Sequence, residues 1–365
     1  MIHIDFLNPE LFNSVPKVLF GGSIIAIEDI VLLYTGYHLQ RAIRSTYRYQ
    51  NKKDYQKIVF PSEKFELLKK HSIPKEMPHY NELVKFDKVM KKNFTEKQQQ
   101  NYQRNIRNIY IKDSLSGKIK NGVRTSGQYD IKDNSIYLVK DNPSAIFHEL
   151  FHMSSSRVEG DYCFSGFSVG HHELFHRYKV GNGLDEGYTE LLTKRYFEEE
   201  LPKEKNYGTY MYEVFAAGKI EKIIGKEKME ELYLNSDING LLDELEKYTS
   251  KEKTRKTIQK LDFVSRYLHE RTTFLEKKYV QKAMDYVNEY LIDTYLRKQV
   301  SHFIEIGKIE KEKLQDYAEY AAEICSYPFY SSDKIYKPLS IKKAEKITKQ
   351  YFIDEDQNLT NWKRK

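Results

Sequence analysis

Eleven histidines occur in the chain, and five of them fall between His148 and His176. Within that stretch His148-Glu149-Leu150-Phe151-His152 has the spacing H-E-x-x-H. On a helix, residues four apart share a face, so both imidazoles can reach one metal ion while Glu149 stands at the edge of that face. A glutamate in that position can hold a water at an open coordination position. A catalytic zinc needs three protein ligands and one exchangeable position, so a third donor must come from elsewhere. The stretch Gly183-Leu184-Asp185-Glu186-Gly187-Tyr188-Thr189-Glu190 offers it. With Leu184, Tyr188, Leu191 and Leu192 as the buried face of a second helix, Glu186, Glu190 and Thr193 turn the opposite way. Glu186 is then the third ligand of one zinc ion, and Glu190 supports the site or faces solvent without ligating it. Gly181 and Gly183 permit a tight approach before that helix begins.

The same five letters recur 24 positions later as His172-Glu173-Leu174-Phe175-His176. Both copies cannot use Glu186 in the same way. Only nine residues separate His176 from Glu186, which leaves little chain to end one helix and set another beside it. The first copy also has the better helix start, with Asn142 to cap free amides and Pro143 in the first turn. Residues 164–169 and 175–180 read as two strands turning near Gly170 and His171. The second copy thus straddles a hairpin and stays outside the ligand set.

The elements that must position these residues can be read from periodicity. Ile24, Ile27, Val31, Tyr34, Tyr37 and Ile43 recur at helical spacing, which predicts a long amphipathic helix over residues 23–49. Shorter helices are predicted at 64–70 and 80–91, separated by a connection containing Pro74 and Pro78. Strands are predicted at 108–113, 127–131 and 135–139, with Lys132, Asp133 and Asn134 turning between the last two. The 135–139 strand, just ahead of the motif helix, could offer its edge to an extended peptide. Beyond Phe197 the pattern is helical again. One helix carries Tyr210, Val214, Ala217, Ile220 and Ile224 on a face and stops at Gly225. Others are predicted at 226–234, 238–248, 251–275, 280–300, 311–324 and 341–351. The expected organisation is an N-terminal helical region over 1–105, a core over 106–200, and a helical region over 201–365 that completes it. The fold class is α+β and mostly helical, with a small antiparallel sheet.

Composition limits the alternatives. A chain of 365 residues with 40% hydrophobic and 31% charged residues can bury a full core. The net charge of +7 comes from basic residues mostly interleaved with acids. The more basic stretch 85–120, with Phe94, Tyr102 and Tyr110, reads as solvated surface, so no nucleic-acid partner is expected. Two cysteines, Cys163 and Cys325, make no disulfide framework and suit a reducing compartment. Residues 18–33 are apolar, but Glu28 and Asp29 interrupt them and Pro16 precedes them, so neither signal nor membrane helix is expected. The expected location is cytoplasmic.

Residues 148–152 followed by Leu184-Asp185-Glu186-Gly187-Tyr188 resemble the gluzincin zinc peptidases, which include thermolysin-like enzymes and related aminopeptidases. The resemblance covers roughly residues 127–197. It implies a zincin-like core, a peptide or protein substrate, and hydrolysis by a zinc-activated water with Glu149 as general base. In the aminopeptidases the ligand glutamate sits in an Asn-Glu-Gly sequence, where this chain has Asp185. The interval from His152 to Glu186 is longer than in many members, so something is inserted there. Such enzymes add a Tyr or His that stabilises the oxyanion. Tyr188, Tyr207, Tyr210 and Tyr212 are the candidates, with Tyr210 and Tyr212 preferred. The competing reading is a non-catalytic zinc-containing regulatory or partner-binding protein, against which the intact Glu149 argues.

Overall fold

The structure is a computed structural model. It describes residues 73, 78–114, 119–120, 123–124, 127–132, 134–139, 145–171, 179–201, 210–269 and 274–306, with a few helical positions between 316 and 324. The chain divides into two compact units, 1–60 and 61–365, and every described residue lies in the second. The helices predicted at 23–49, 64–70 and 341–351, the cap at Asn142 and Pro143, Tyr207 and the second motif His172 to His176 all lie outside the described residues. Of the helix predicted at 311–324, only Asp316, Glu319, Tyr320, Glu323 and Ile324 are described.

Alternation sets the first sheet. Ile136 and Leu138 of β5 (Ser135–Val139) are buried while Tyr137 between them is half-buried, the period of a strand. β5 is the central strand of three. β1 (Tyr110–Ser114) pairs parallel to it with Tyr110 opposite Ser135, and β4 (Gly127–Asp130) pairs antiparallel with Gly127 opposite Leu138. A separate ribbon joins β2 (Ile119–Lys120) to β3 (Val123–Arg124). Two expectations change here. The sheet is mixed rather than antiparallel throughout, and β5 cannot offer its edge to a peptide because both of its sides are already hydrogen-bonded. Among the described residues, the outer strand beside the motif helix is β4.

Helices α1 (Tyr80–Asn93) and α2 (Gln100–Asn105) precede β1, and α3 (Ala145–Ser154) carries the first motif. Phe147 and Phe151 share one face of α3, about a quarter-turn from His148 and His152. On that face Phe86 of α1 meets Phe151 edge-on at 4.9 Å, and Phe197 stacks on Phe147 at 4.1 Å. Each buried phenylalanine contributes about 1.5–3 kcal/mol. The aromatic packing therefore fixes the rotation of α3 and, with it, the direction of the histidines.

Between the two motif-bearing helices runs a meander of β6 (Ser156–Glu159), β7 (Tyr162–Ser165) and β8 (Ser168–His171). This is the insertion that the long interval implied. The strand predicted over 164–169 is broken at Gly166, whose φ of 49° is a left-handed turn conformation, so β7 and β8 are antiparallel neighbours. The turn between β6 and β7, at Gly160 and Asp161, is exposed.

The second motif helix is α4 (Asn182–Phe197), followed by α5 (Met211–Ile224), α6 (Lys226–Leu234), α7 (Ile238–Glu246), α8 (Lys251–His269) and α9 (Phe274–Ile306). α4 packs against α3, α5 and α8 at once. Leu184, Tyr188 and Leu192 are buried as expected, but so are Asp185, Thr189 and Thr193, because neighbours close on the helix from several sides. α5 likewise buries Tyr212, Phe215, Ala216 and Ile223 beyond the predicted stripe, since α4 and α9 both contact it. None of the described helices is long and apolar enough to cross a membrane.

α4 is held at both ends. Asp262 of α8 accepts the backbone N–H groups of Gly181 at 2.8 Å and Gly183 at 2.9 Å, placing a carboxylate at the helix N-terminus. Near the other end Arg195 pairs with Glu221 of α5 and Glu230 of α6. In between, a Cβ on Gly187 would fall within van der Waals contact of the Glu213 carbonyl on α5. Gly187→Ala is expected to destabilise the protein by about 1–3 kcal/mol through this overpacking. Denaturant unfolding of the purified variant beside wild type checks it, and an unchanged midpoint would show that the α4–α5 contact is looser than described.

Candidate metal centre

α3 places His148 and His152 one turn apart, and α4 brings Glu186 across to them. Nε2 of His148 lies 3.1 Å from Nε2 of His152, and Oε2 of Glu186 lies 3.3 Å from the first and 3.2 Å from the second. Bonds of roughly 2.0–2.1 Å at tetrahedral angles would set zinc donors about 3.3 Å apart, so three donors with these spacings can hold one ion. The first copy of the motif and Glu186 are therefore brought together as the sequence suggested.

The other ring nitrogens strengthen that fit. Nδ1 of His148 faces Glu190 Oε2 at 3.1 Å, and Nδ1 of His152 faces Asp185 Oδ2 at 3.5 Å. Protons assigned to both Nδ1 atoms leave the Nε2 lone pairs pointing at each other, an arrangement that requires a cation or a proton between them. Glu190, expected either to support the site or to face solvent, thus lies behind His148, and it also pairs with Lys194 at 3.5 Å. Asp185 does the same for His152. The sequence had marked Asp185 only as a substitution for Asn.

The ionisation of the cluster follows its geometry. Burial lowers His152, but Glu186 and Asp185 outweigh it and push the imidazole up to about 9. Burial opposes the proton on His148 as well, yet Glu186, Glu190 and Glu149 hold it well above its ordinary value. Glu186 would rise on burial alone, and the two imidazoles instead pull it well below the usual carboxylate range. Glu149 differs from them. Burial raises it, with the histidines opposing only in part.

Glu149 leans on the sheet. Its Oε2 accepts the backbone N–H of Tyr129 on β4 at 2.6 Å, and a Cβ on Gly127 would stand 3.0 Å from both its Cγ and its Oε1. The close approach of β4 thus depends on glycine at 127. Neither contact was visible in the sequence, because both lie between a strand backbone and a side chain remote in the chain.

Among the described candidate tyrosines, Tyr210 is the one beside the cluster. It sits at the start of α5 with its ring stacked over His148 at 5.8 Å, and burial followed by the charges of Glu186, Glu149 and Glu213 raises its hydroxyl well above the usual range. Tyr212 turns into the core, donating to the Met284 carbonyl and to Asn288. Tyr188 donates to Glu221 at 2.7 Å, on the far side of α4.

Compared with known proteins, the chain matches no family, no curated protein and no solved structure.

Imidazoles held protonated by their carboxylates must lose those protons before they can ligate. Binding of Zn2+ is therefore expected to release protons at neutral pH, with affinity rising as pH increases toward about 9 and falling as it decreases. Calorimetric titration in buffers of different ionisation enthalpy checks this, and an affinity independent of pH between 6 and 8 would contradict it.

Proposed function

We propose that this chain is a zinc-dependent metallopeptidase of the gluzincin type, with one Zn2+ held by His148, His152 and Glu186 and with Glu149 as general base. The observation that carries the proposal is the buried Glu149 carboxylate beside a convergent His2Glu donor set whose imidazoles are each backed by a second carboxylate. A zinc ion bound there would supply Lewis acidity, acidifying water and polarising a carbonyl. Glu149 takes a proton from the attacking water on its carboxylate and returns it to the departing amine. Burial raises this carboxylate, which improves the match between its basicity and neutral conditions. The Tyr210 hydroxyl, beside Glu186 and Glu149 and kept protonated, is suited to donate a hydrogen bond to the oxygen that gains charge.

The substrate class follows from the edge strand. Among the described residues β4 is an outer strand of the sheet and lies against α3, so an extended peptide could add to it by main-chain hydrogen bonds at groups other than the Tyr129 N–H, which Glu149 accepts. Peptide or protein is the proposed substrate, in a cytoplasmic setting. The zincin-like core over 106–200, completed by the helices that follow, is the arrangement this proposal requires.

The test is metal analysis and peptide hydrolysis on the purified chain. Wild type is expected to carry one zinc and to cleave a mixed peptide substrate. Glu149→Gln should keep the zinc and lose activity by on the order of 10^2–10^4-fold, while His148→Ala and Glu186→Ala lose the metal. Absence of zinc from wild type, or full activity in Glu149→Gln, would falsify the proposal. Loss of zinc in His172→Ala, with His148→Ala retaining it, would transfer the site to the second copy.

A further inference from the structure

The meander between the two motif helices ends on the metal centre. Its inner turn, at Gly166 and Phe167, is tied to both helices. Gly166 N–H donates to the carbonyl of Ser155, the residue following α3, at 3.0 Å, and Val169 exchanges two 2.9 Å backbone bonds with Val180 just ahead of α4. Thus placed, the turn meets Asp185. Phe167 N–H donates to Asp185 Oδ1 at 3.3 Å and Ser168 Oγ donates to Oδ2 at 3.0 Å, the same oxygen that faces Nδ1 of His152.

Asp185 is fully buried, and a buried carboxylate needs hydrogen-bond donors. The inner turn provides two. Ser168 has a single hydroxyl proton and a second acceptor in reach, the Ser165 carbonyl at 2.9 Å. A carboxylate oxygen is the stronger acceptor, so the Ser168 hydroxyl proton points to Asp185 Oδ2. Glycine at 166 is required for the same contact, because a Cβ there would collide with Asp185 Oδ1 and with the Tyr233 ring. Asp185 Oδ2 stands 3.5 Å from Nδ1 of His152, beyond an ordinary hydrogen bond, so the carboxylate acts on the imidazole by charge and proximity, and the turn's two donors set where that charge lies.

We propose that the inner turn of the meander, acting through Ser168, is a positioning element of the metal centre: it fixes the Asp185 carboxylate against His152 and thereby sets the tautomer of that imidazole and the affinity of the site for zinc. This rests on the metal reading above. Ser168 touches neither ion nor substrate in this role. Outer-shell partners of this kind typically change metal affinity by 10–100-fold when removed.

The experiment compares wild type, Ser168→Ala, Ser168→Thr, His148→Ala and Glu186→Ala by three measurements. These are Zn2+ affinity in competition with a chromophoric chelator, the visible spectrum of the Co2+-loaded protein, and thermal unfolding of the metal-free protein. Ser168→Ala is expected to weaken zinc binding by about tenfold and to shift the Co2+ bands, with a lowered metal-free midpoint because buried Asp185 loses a donor. Ser168→Thr, which keeps the hydroxyl, should recover both metal readouts. The inference is overturned if Ser168→Ala binds zinc as tightly as wild type with an unaltered Co2+ spectrum. It is equally overturned if the loss of affinity accompanies a matching loss of metal-free stability that Ser168→Thr does not recover. A wild type that binds no zinc, or binds it no better than His148→Ala and Glu186→Ala, removes the metal reading and this inference with it. An unaffected Ser168→Ala in a zinc-binding wild type removes only the role of the turn.

Discussion

Two imidazole nitrogens facing each other across 3.1 Å set the terms for everything around them. With their other nitrogens directed at carboxylates, the two Nε2 atoms converge on one point, and that arrangement is favourable only with a proton or a cation between them. Glu186 balances part of that charge from the third side, while Asp185 and Glu190 do so from behind. Each of these carboxylates is then withdrawn from water and must be satisfied in turn, Glu190 by Lys194 and Asp185 by the inner turn of the meander. The compensation runs outward in layers until it reaches solvent. Carboxylates, hydroxyls and backbone amides in this region are consequences of that single convergence.

Such an arrangement is useful only if the two helices cannot drift. α3 is fixed by aromatic rings about a quarter-turn from the cluster, where Phe86 and Phe197 pack on Phe151 and Phe147. α4 is fixed by charge. Asp262 holds its first turn, Arg195 ties its last turns to Glu221 and Glu230, and Gly187 lets α5 approach its middle. Apolar packing sets rotation on one helix, and ion pairs set translation on the other. The three donor atoms are therefore held at spacings that one ion could bridge.

Much of this was legible from residue spacing. Four-residue periodicity placed both histidines on one face of α3, and the nine-residue limit after His176 favoured the first copy as the partner of Glu186. The strand at 135–139, the helix at 226–234 and the helix expected at 238–248, which ends at Glu246, followed from local pattern, because local hydrogen bonding and side-chain alternation decide them. What escaped was set by partners distant in the chain. Strand order depends on which segments meet, so the central place of β5 could not be read from its own five residues. The second-layer role of Asp185 depends on Ser168, which nothing in the Leu184-Asp185-Glu186 sequence announces. The burial of Thr189 and Thr193 was hidden because α4 touches α3, α5 and α8, while a face assigned from apolar spacing assumes one neighbour.

The meander has two turns of opposite character. The inner one is sealed against Asp185 and Tyr233, whereas the outer one, at Gly160 and Asp161, is exposed, and a side chain added at Gly160 would meet nothing within 4 Å. Added chain length is tolerated where backbone is solvated and few contacts cross. One short inserted segment would accordingly be far easier to accommodate at one end of this element than at the other, a few residues away. The outer turn is thus a natural attachment point for a fluorophore or affinity handle, rigidly linked through β7 to the interior and able to report on it without entering it.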